Sequence, residues 1–214
     1  MTAGKTAARW LGALVLALAA AGAFGQASVR NEVVRLDPPR SVVTGERIEV
    51  IEFFYYGCPI CYELEPHMTR WLATQAPGYV ALRRIPALSS EGWETFAKLF
   101  FTLQEMNEAS RLHWPIYDNF HFEGKPLNEE KAMLEWVATN GVDPGRFAEI
   151  YRSPAIAARL AEVRELMKTY DVRGVPSIIV DGKYMSSARL AGGTRQLMQI
   201  VDELVRQARS ERPR

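Results

Sequence analysis

The residues of this chain best equipped for chemistry are two cysteines, Cys58 and Cys61, in the stretch "YYGCPICYELEP". They are the only cysteines among 214 residues. A C-x-x-C pair can form a redox-active disulfide, form a structural one, supply part of a zinc site, or remain as two inert core thiols. A structural ring over so few residues removes little entropy from the unfolded chain. A zinc site needs four ligands, and beyond carboxylates only His67, His113 and His121 remain to supply them. With no second C-x-x-C in the chain, no metal is expected. Inert thiols do not suit a chain bound for an oxidising compartment, and such a destination is what the N-terminus indicates.

The flanking residues define where the pair sits. "RIEVIEFFYY" (47–56) is rich in β-branched and aromatic residues and predicts a buried strand. From Ile60 to about Gln75 the apolar residues Leu64, Met68, Trp71 and Leu72 recur at helical spacing. Pro59 suits the first helical turn, where its missing N–H would be unpaired anyway. Pro66 should kink this helix. Cys58 therefore falls at the N-cap or first position of a helix. There the dipole and free N–H groups stabilise a thiolate. Cys61 lies one turn further in, on the same face and nearer the core. An accessible outer sulfur and a shielded inner one suit thiol–disulfide exchange.

A second motif, "RGVPSIIV", places Pro176 after Val175 at the start of a strand. Proline donates no ladder hydrogen bond, so it belongs at an edge or a special turn.

The remaining elements follow from periodicity. "YVALRRIPAL" predicts a second strand. Residues 91–170 read as almost entirely helical, with breaks at "HWP", "EGKP", "NGVDPG" and "RSP" and with Asp143 and Ser153 as caps. Their aromatic stretches, "WETFAKLFF" and "HWPIYDNFHF", are expected to form the core of a helical cap, with a peptide groove as the alternative. "VPSIIVDGKYMSS" predicts two short strands around Asp181-Gly182. "TRQLMQIVDELVRQAR" is an amphipathic helix with Leu197, Ile200, Val201, Leu204 and Val205 on one face. The predicted fold class is α/β, with a helical domain inserted between the second strand and the C-terminal hairpin and helix. The expected divisions are 1–27, 28–90, 91–170 and 171–214, the inserted helices being the third.

Composition narrows the function. Hydrophobic residues make up 48%, enough for a core, and 26 basic against 25 acidic residues give a net charge of +1. That balance carries no electrostatic footprint for nucleic acid. At the N-terminus, Lys5 and Arg9 precede an apolar run over 10–24 that closes in "GAFGQA". This is the pattern of a secretory signal, with cleavage expected after Ala27. The run is shorter than the ~20 apolar residues that span a bilayer. Export to the periplasm follows.

"IEFFYYGCPICYELEP" and "RGVPSIIVDGKY", in this order and spacing, resemble the DsbA family of periplasmic thiol:disulfide oxidoreductases. The resemblance covers essentially the whole mature chain. It implies a thioredoxin fold, with Cys58 as nucleophile, Cys61 as buried resolving partner and a redox-active disulfide between them. It implies a cis-proline at Pro176, with the Val175 backbone pairing an extended substrate. Glu52 matches a buried acidic residue able to carry protons to and from Cys61. Its apolar neighbours Ile51 and Phe53 agree with burial, and an outward carboxylate is the alternative. Glu65 is a weaker candidate for the same task, a solvated helix residue being the alternative. Implied partners are reduced or unfolded exported proteins and a membrane quinone-linked thiol oxidase of the DsbB type. No cofactor and no nucleic acid are implied, and a monomer is expected.

One departure stands out. The family usually has Pro-His between the cysteines, and this chain has Pro59-Ile60. Isoleucine brings neither charge nor a side-chain donor, so a milder oxidant is expected. The rival readings are a reductase or isomerase on the same fold, a peptide-binding chaperone module with a structural disulfide, and a metal-binding protein.

Overall fold

The computed structural model describes residues 32–212. The secretory signal read over 1–27 lies outside the described residues. Among them, no helix is long and apolar enough to cross a membrane.

The element order is β1 (Val34–Arg35), β2 (Ile48–Phe54), α1 (Pro59–Thr74), β3 (Val80–Pro86), α2 (Glu91–Glu105), α3 (Ala109–Asp118), a π-helical turn (Asn119–Glu123), α4 (Glu130–Thr139), α5 (Pro144–Tyr151), α6 (Pro154–Thr169), β4 (Ser177–Val180), β5 (Tyr184–Ser187), α7 (Ala188–Ala191) and α8 (Thr194–Glu211). The strands form one sheet in the order β1-β5-β4-β2-β3. β2 pairs with β3 in parallel and with β4 antiparallel. β4 pairs antiparallel with β5, and β5 with β1. This is a thioredoxin-like α/β fold, and α2–α6 stand between β3 and β4, where the helical insertion was expected.

Every residue of β2 is buried. A strand paired on both edges and covered on both faces reads as a continuous apolar run. On one face, Ile48 and Val50 pack with Leu64, Met68 and Trp71 of α1 and with Leu197, Val201 and Val205 of α8. On the other, Ile51 and Phe53 join Phe96 and Phe100 of α2, Tyr117 of α3 and Phe147 of α5. The aromatic stretches of the insertion are thus mainly core, as expected, although Trp114 and Phe122 remain exposed. The caps are where the sequence put them. Asp143 accepts from the N–H of Arg146 at 2.9 Å, and Ser153 from that of Ile156 at 3.4 Å. α1 continues through Pro66 as one helix.

β1 and α7 were not foreseen. β1 has only two residues, too few for a period to show, and it is held as an edge against β5 at Val34↔Met185 and Arg35↔Tyr184. The β4–β5 turn was foreseen, and Asp181 and Gly182 both take positive φ there, 53° and 64°. Gly182 is required for a further reason. A Cβ would lie 2.1 Å from the Arg40 carbonyl oxygen, because Arg40 N–H donates to the Gly182 carbonyl at 2.8 Å.

Candidate active site

Cys58 follows directly on the turn that leaves β2, and it is the N-cap of α1 with φ −89° and ψ 116°. Its sulfur accepts from the N–H of Cys61 at 3.4 Å. Its carbonyl accepts from Tyr62 N–H at 3.0 Å, closing the first turn. Pro59 occupies the first helical position. Both cysteines are free thiols, Cys58 half-buried and Cys61 buried.

The two thiols have opposite acidities. The Cys58 thiol is lowered from an ordinary 9.0 to about 6 by the hydrogen bond from the Cys61 side chain, against the effect of burial, with help from the backbone N–H groups of Cys61 and Ile60. Cys61 is pushed far up, first by burial and then by its contact with Cys58. Ile60 contributes a backbone donor only, and the residue is 43% exposed beside the nucleophile. At neutral pH, Cys58 is mostly thiolate and Cys61 is a thiol.

The peptide bond between Val175 and Pro176 is cis. It brings the Val175 carbonyl oxygen to 3.7 Å from the Cys58 sulfur. Ser177 Oγ donates to the Gly174 carbonyl at 2.7 Å and steadies the bend. Beside it lies a groove of about 900 Å³ lined by Ile60, Val175, Pro176, Met185 and Leu190, among others. On the opposite side of the loop, Tyr55 stacks on Trp93 of α2, with centroids 4.0 Å apart and planes 4° apart. Gly57 permits this, since a Cβ there would meet the Tyr55 ring at 2.5 Å.

Beneath Cys61 lies a buried charge network. Glu52 on β2 is fully buried, and its Oε2 accepts from Arg84 Nε at 3.1 Å. Arg84 Nη2 donates to Glu65 Oε1 at 2.7 Å. Glu65 is itself buried, so the solvated alternative does not hold. Burial raises the Glu52 carboxyl to about 7, Arg84 opposes this, and the Glu65 charge adds to it. Burial also pushes Glu65 up, but its close contact with His113, the charge of Arg84 and the Thr69 hydroxyl outweigh it, leaving Glu65 below the ordinary carboxylate value. His113 is held down by burial. Its Nε2 faces Glu65 Oε2 at 3.4 Å but is not aligned for a hydrogen bond. Arg84, bonded to both carboxylates, supplies the fixed positive charge of the network.

Sequence reasoning missed Arg84, His113, Tyr56 and Tyr117 as neighbours of the site. Half of the signal for one of them was present in the sequence, a charge within each apolar strand, and the register that pairs the two charges was not. Glu52 and Arg84 are direct partners in the β2–β3 register, and each interrupts an apolar strand. Among the described residues, no cluster of three or more His, Cys, Asp or Glu is arranged to hold a metal ion.

A C-x-x-C at the helix N-terminus of a thioredoxin-type sheet, facing a cis-proline, defines the class of thioredoxin-fold thiol:disulfide oxidoreductases. The DSBA-like thioredoxin domain family matches residues 80–204, a span that begins after both cysteines. The thiol:disulfide interchange protein DsbA of Pseudomonas syringae pv. tomato is 35% identical over 201 residues, 91% of this chain and 94% of that protein. DsbA of Bordetella parapertussis is 35% identical over 197 residues, 90% of this chain and 93% of that protein. The crystal structure of Pseudomonas aeruginosa DsbA superposes with a TM-score of 0.79 at 34% identity, covering 84% of this chain and 93% of that one. This chain belongs to the DsbA family and is a protein disulfide oxidoreductase.

Proposed function

We propose that the chain is a periplasmic dithiol oxidase that introduces disulfides into exported proteins. The observation that carries this reading is the acidity of Cys58 at the α1 N-cap, opposite the cis Val175–Pro176 bond. A stable Cys58 thiolate favours the reduced form of the protein, and a favoured reduced form makes the disulfide form oxidising.

The working form carries a Cys58–Cys61 disulfide. A substrate thiolate attacks the Cys58 sulfur. The Cys58–Cys61 bond breaks, a mixed disulfide forms, and Cys61 leaves as a thiolate that takes up a proton. A second substrate thiolate then attacks the substrate sulfur of the mixed disulfide and expels Cys58 as its stabilised thiolate. The substrate gains a disulfide and loses two electrons, and the cysteine pair gains them. The backbone of Val175 pairs with the extended substrate, and the groove beside Pro176 takes its side chains. Glu52, buried beneath Cys61, exchanges the proton. Pro59 and Ile60 set the thiolate's surroundings. A membrane quinone-linked thiol oxidase of the DsbB type restores the disulfide. The chain acts as a monomer, reached by export through the N-terminal signal, and needs no cofactor.

The test is oxidation of a reduced dithiol peptide by the oxidised protein. Cys58→Ser should abolish it, and Cys61→Ser, first loaded at Cys58 as a mixed disulfide with glutathione, should exchange that glutathione for the thiolate of a single-cysteine peptide and hold the peptide–Cys58 disulfide. If the Cys61→Ser variant forms no such adduct, the reading fails. A second reading, a reductase or isomerase, has Ile60 in its favour, and the reduction potential separates the two.

A further inference from the structure

His113 of α3 is a buried titratable group that the chemistry above leaves unused. Its Nδ1 lies 2.8 Å from the Tyr56 hydroxyl, and its Nε2 has no hydrogen-bond partner. The charged and titratable groups around it are Glu65 on α1, Arg84 on β3, Glu52 on β2, Tyr56 in the following turn and Tyr117 on its own helix. Four atoms of this cluster are buried and unpartnered: Glu52 Oε1, Glu65 Oε2, His113 Nε2 and Tyr117 Oη. One guanidinium holds one oxygen of each carboxylate, Glu52 Oε2 and Glu65 Oε1, and leaves the other oxygen of each free to carry a proton. Arg84 and His113 also line a cavity of about 220 Å³ bounded by β3, α2, α3 and α6. Gln104, Ser110, Arg159 and Glu162 line it too, and Ser110 and Glu162 are exposed, so it reaches the surface away from the cysteines.

We propose that His113 is the outer relay that passes protons between this lateral cavity and Glu65, and so serves the buried Cys61 from the side of the molecule. The inference rests on the dithiol chemistry proposed above. That chemistry moves a proton at a sulfur with no exposure of its own. In the tautomer that donates Nδ1–H to the Tyr56 oxygen, Nε2 holds the free lone pair. Nε2 takes a proton from the cavity side, the ring turns about its Nδ1–Tyr56 contact, and the imidazolium passes that proton from Nε2 to Glu65 Oε2, returning to neutral. Glu65 passes a proton to Glu52, and Glu52 passes one to the Cys61 thiolate, giving the thiol. One proton moves from solvent to sulfur, and no electron moves along the relay. Reoxidation runs the same path outward. His113 touches neither sulfur and acts through Glu65, as a positioning residue.

The test is single-turnover oxidation of a dithiol peptide by the oxidised full chain, quenched by alkylation. His113→Gln keeps the approximate volume but cannot be protonated, and it should slow the step roughly tenfold or more at neutral pH. His113→Ala should show the same loss and recover with added imidazole, for which the cavity has room. The reduction potential and the Cys58 thiolate absorbance should stay as in the wild-type chain, which a general loosening of the fold would not allow. If the His113 variants fail to fold, Ser110→Trp, which obstructs the cavity and keeps the histidine, should slow the step in their place. A folded His113→Gln protein with the wild-type rate across the neutral range overturns the relay, as does slowing that imidazole leaves unchanged. A wild-type chain that oxidises no dithiol peptide overturns the proposed function instead.

Discussion

The Cys58 sulfur lies 3.7 Å from the carbonyl oxygen of Val175, across 117 residues of sequence. All five helices of the insertion intervene between them in the chain, yet β2 and β4 are direct neighbours in the sheet. The antiparallel register Phe53↔Ser177 sets the C-terminal end of β2 beside the N-terminal end of β4. The cysteine turn and the cis bend therefore meet because the sheet puts two strand ends together. Their contact depends on the sheet rather than on any local motif.

The first prediction concerns acidity. Thiolate absorbance of the reduced protein should titrate with a midpoint at about 6, against an ordinary 9.0, and Cys61 should add no step in the accessible range. A depressed folded-state value stabilises the reduced protein fully above the unfolded value, and this is lost as pH falls through the folded one. The melting temperature of the reduced form relative to the oxidised form should therefore rise with pH from about 6 to 9.0. A pH-independent difference would contradict it.

Arg84→Ala should be among the most damaging single changes outside the cysteines. It leaves Glu52 and Glu65 buried without their shared cation. Removing one partner of a buried pair costs roughly 3–5 kcal/mol, measurable by urea unfolding. The loss should shrink in acid, where protonation neutralises both carboxylates. In the wild-type chain Glu52 works in the same sense. Its raised value means that stability present below 4.5 is lost as pH rises through about 7. Glu52→Gln should flatten that slope.

Gly57→Ala tests the aromatic wall. The added methyl must displace the Tyr55 ring, which would otherwise lie 2.5 Å away, and so breaks the stack on Trp93. An aromatic pair contributes about 0.5–1.5 kcal/mol beyond its buried area. A drop of that order in stability is expected, with a change in tryptophan emission. Unchanged emission would mean that Tyr55 had not moved.

Much of this was legible in the chain because it is local. The strand before Cys58, the helix after it, both caps and the Asp181-Gly182 turn depend on residues within a few positions of each other. Glu52 was readable as buried because Ile51 and Phe53 flank it. Its partner was not, because Arg84 reaches it only through the β2–β3 register, and a strand's sequence does not state its register. Glu65 looked equally suited to solvent, since one helical turn does not reveal what packs over it. His113 belongs to a helix whose place against β2 is fixed by tertiary packing, His113 itself lying against Phe54 and Tyr56. β1 was too short to show a period.

The last prediction settles what Ile60 does. The Cys58 thiol is lowered to about 6 by the Cys61 side chain and by the backbone N–H groups of Cys61 and Ile60, and the Ile60 side chain is not among the causes. The α1 N-terminus and the Cys61 contacts therefore supply part of the stabilisation, and a neighbouring imidazolium would add to it. Ile60→His should lower the Cys58 value further. Because a more stable thiolate makes the disulfide more oxidising, the substitution should also move the potential toward ~−120 mV when measured against glutathione. The wild-type chain should fall between that value and ~−270 mV. A wild-type potential already at the oxidising end would mean that the helix terminus suffices alone. One at the reducing end would make the reductase or isomerase reading the better account of this chain.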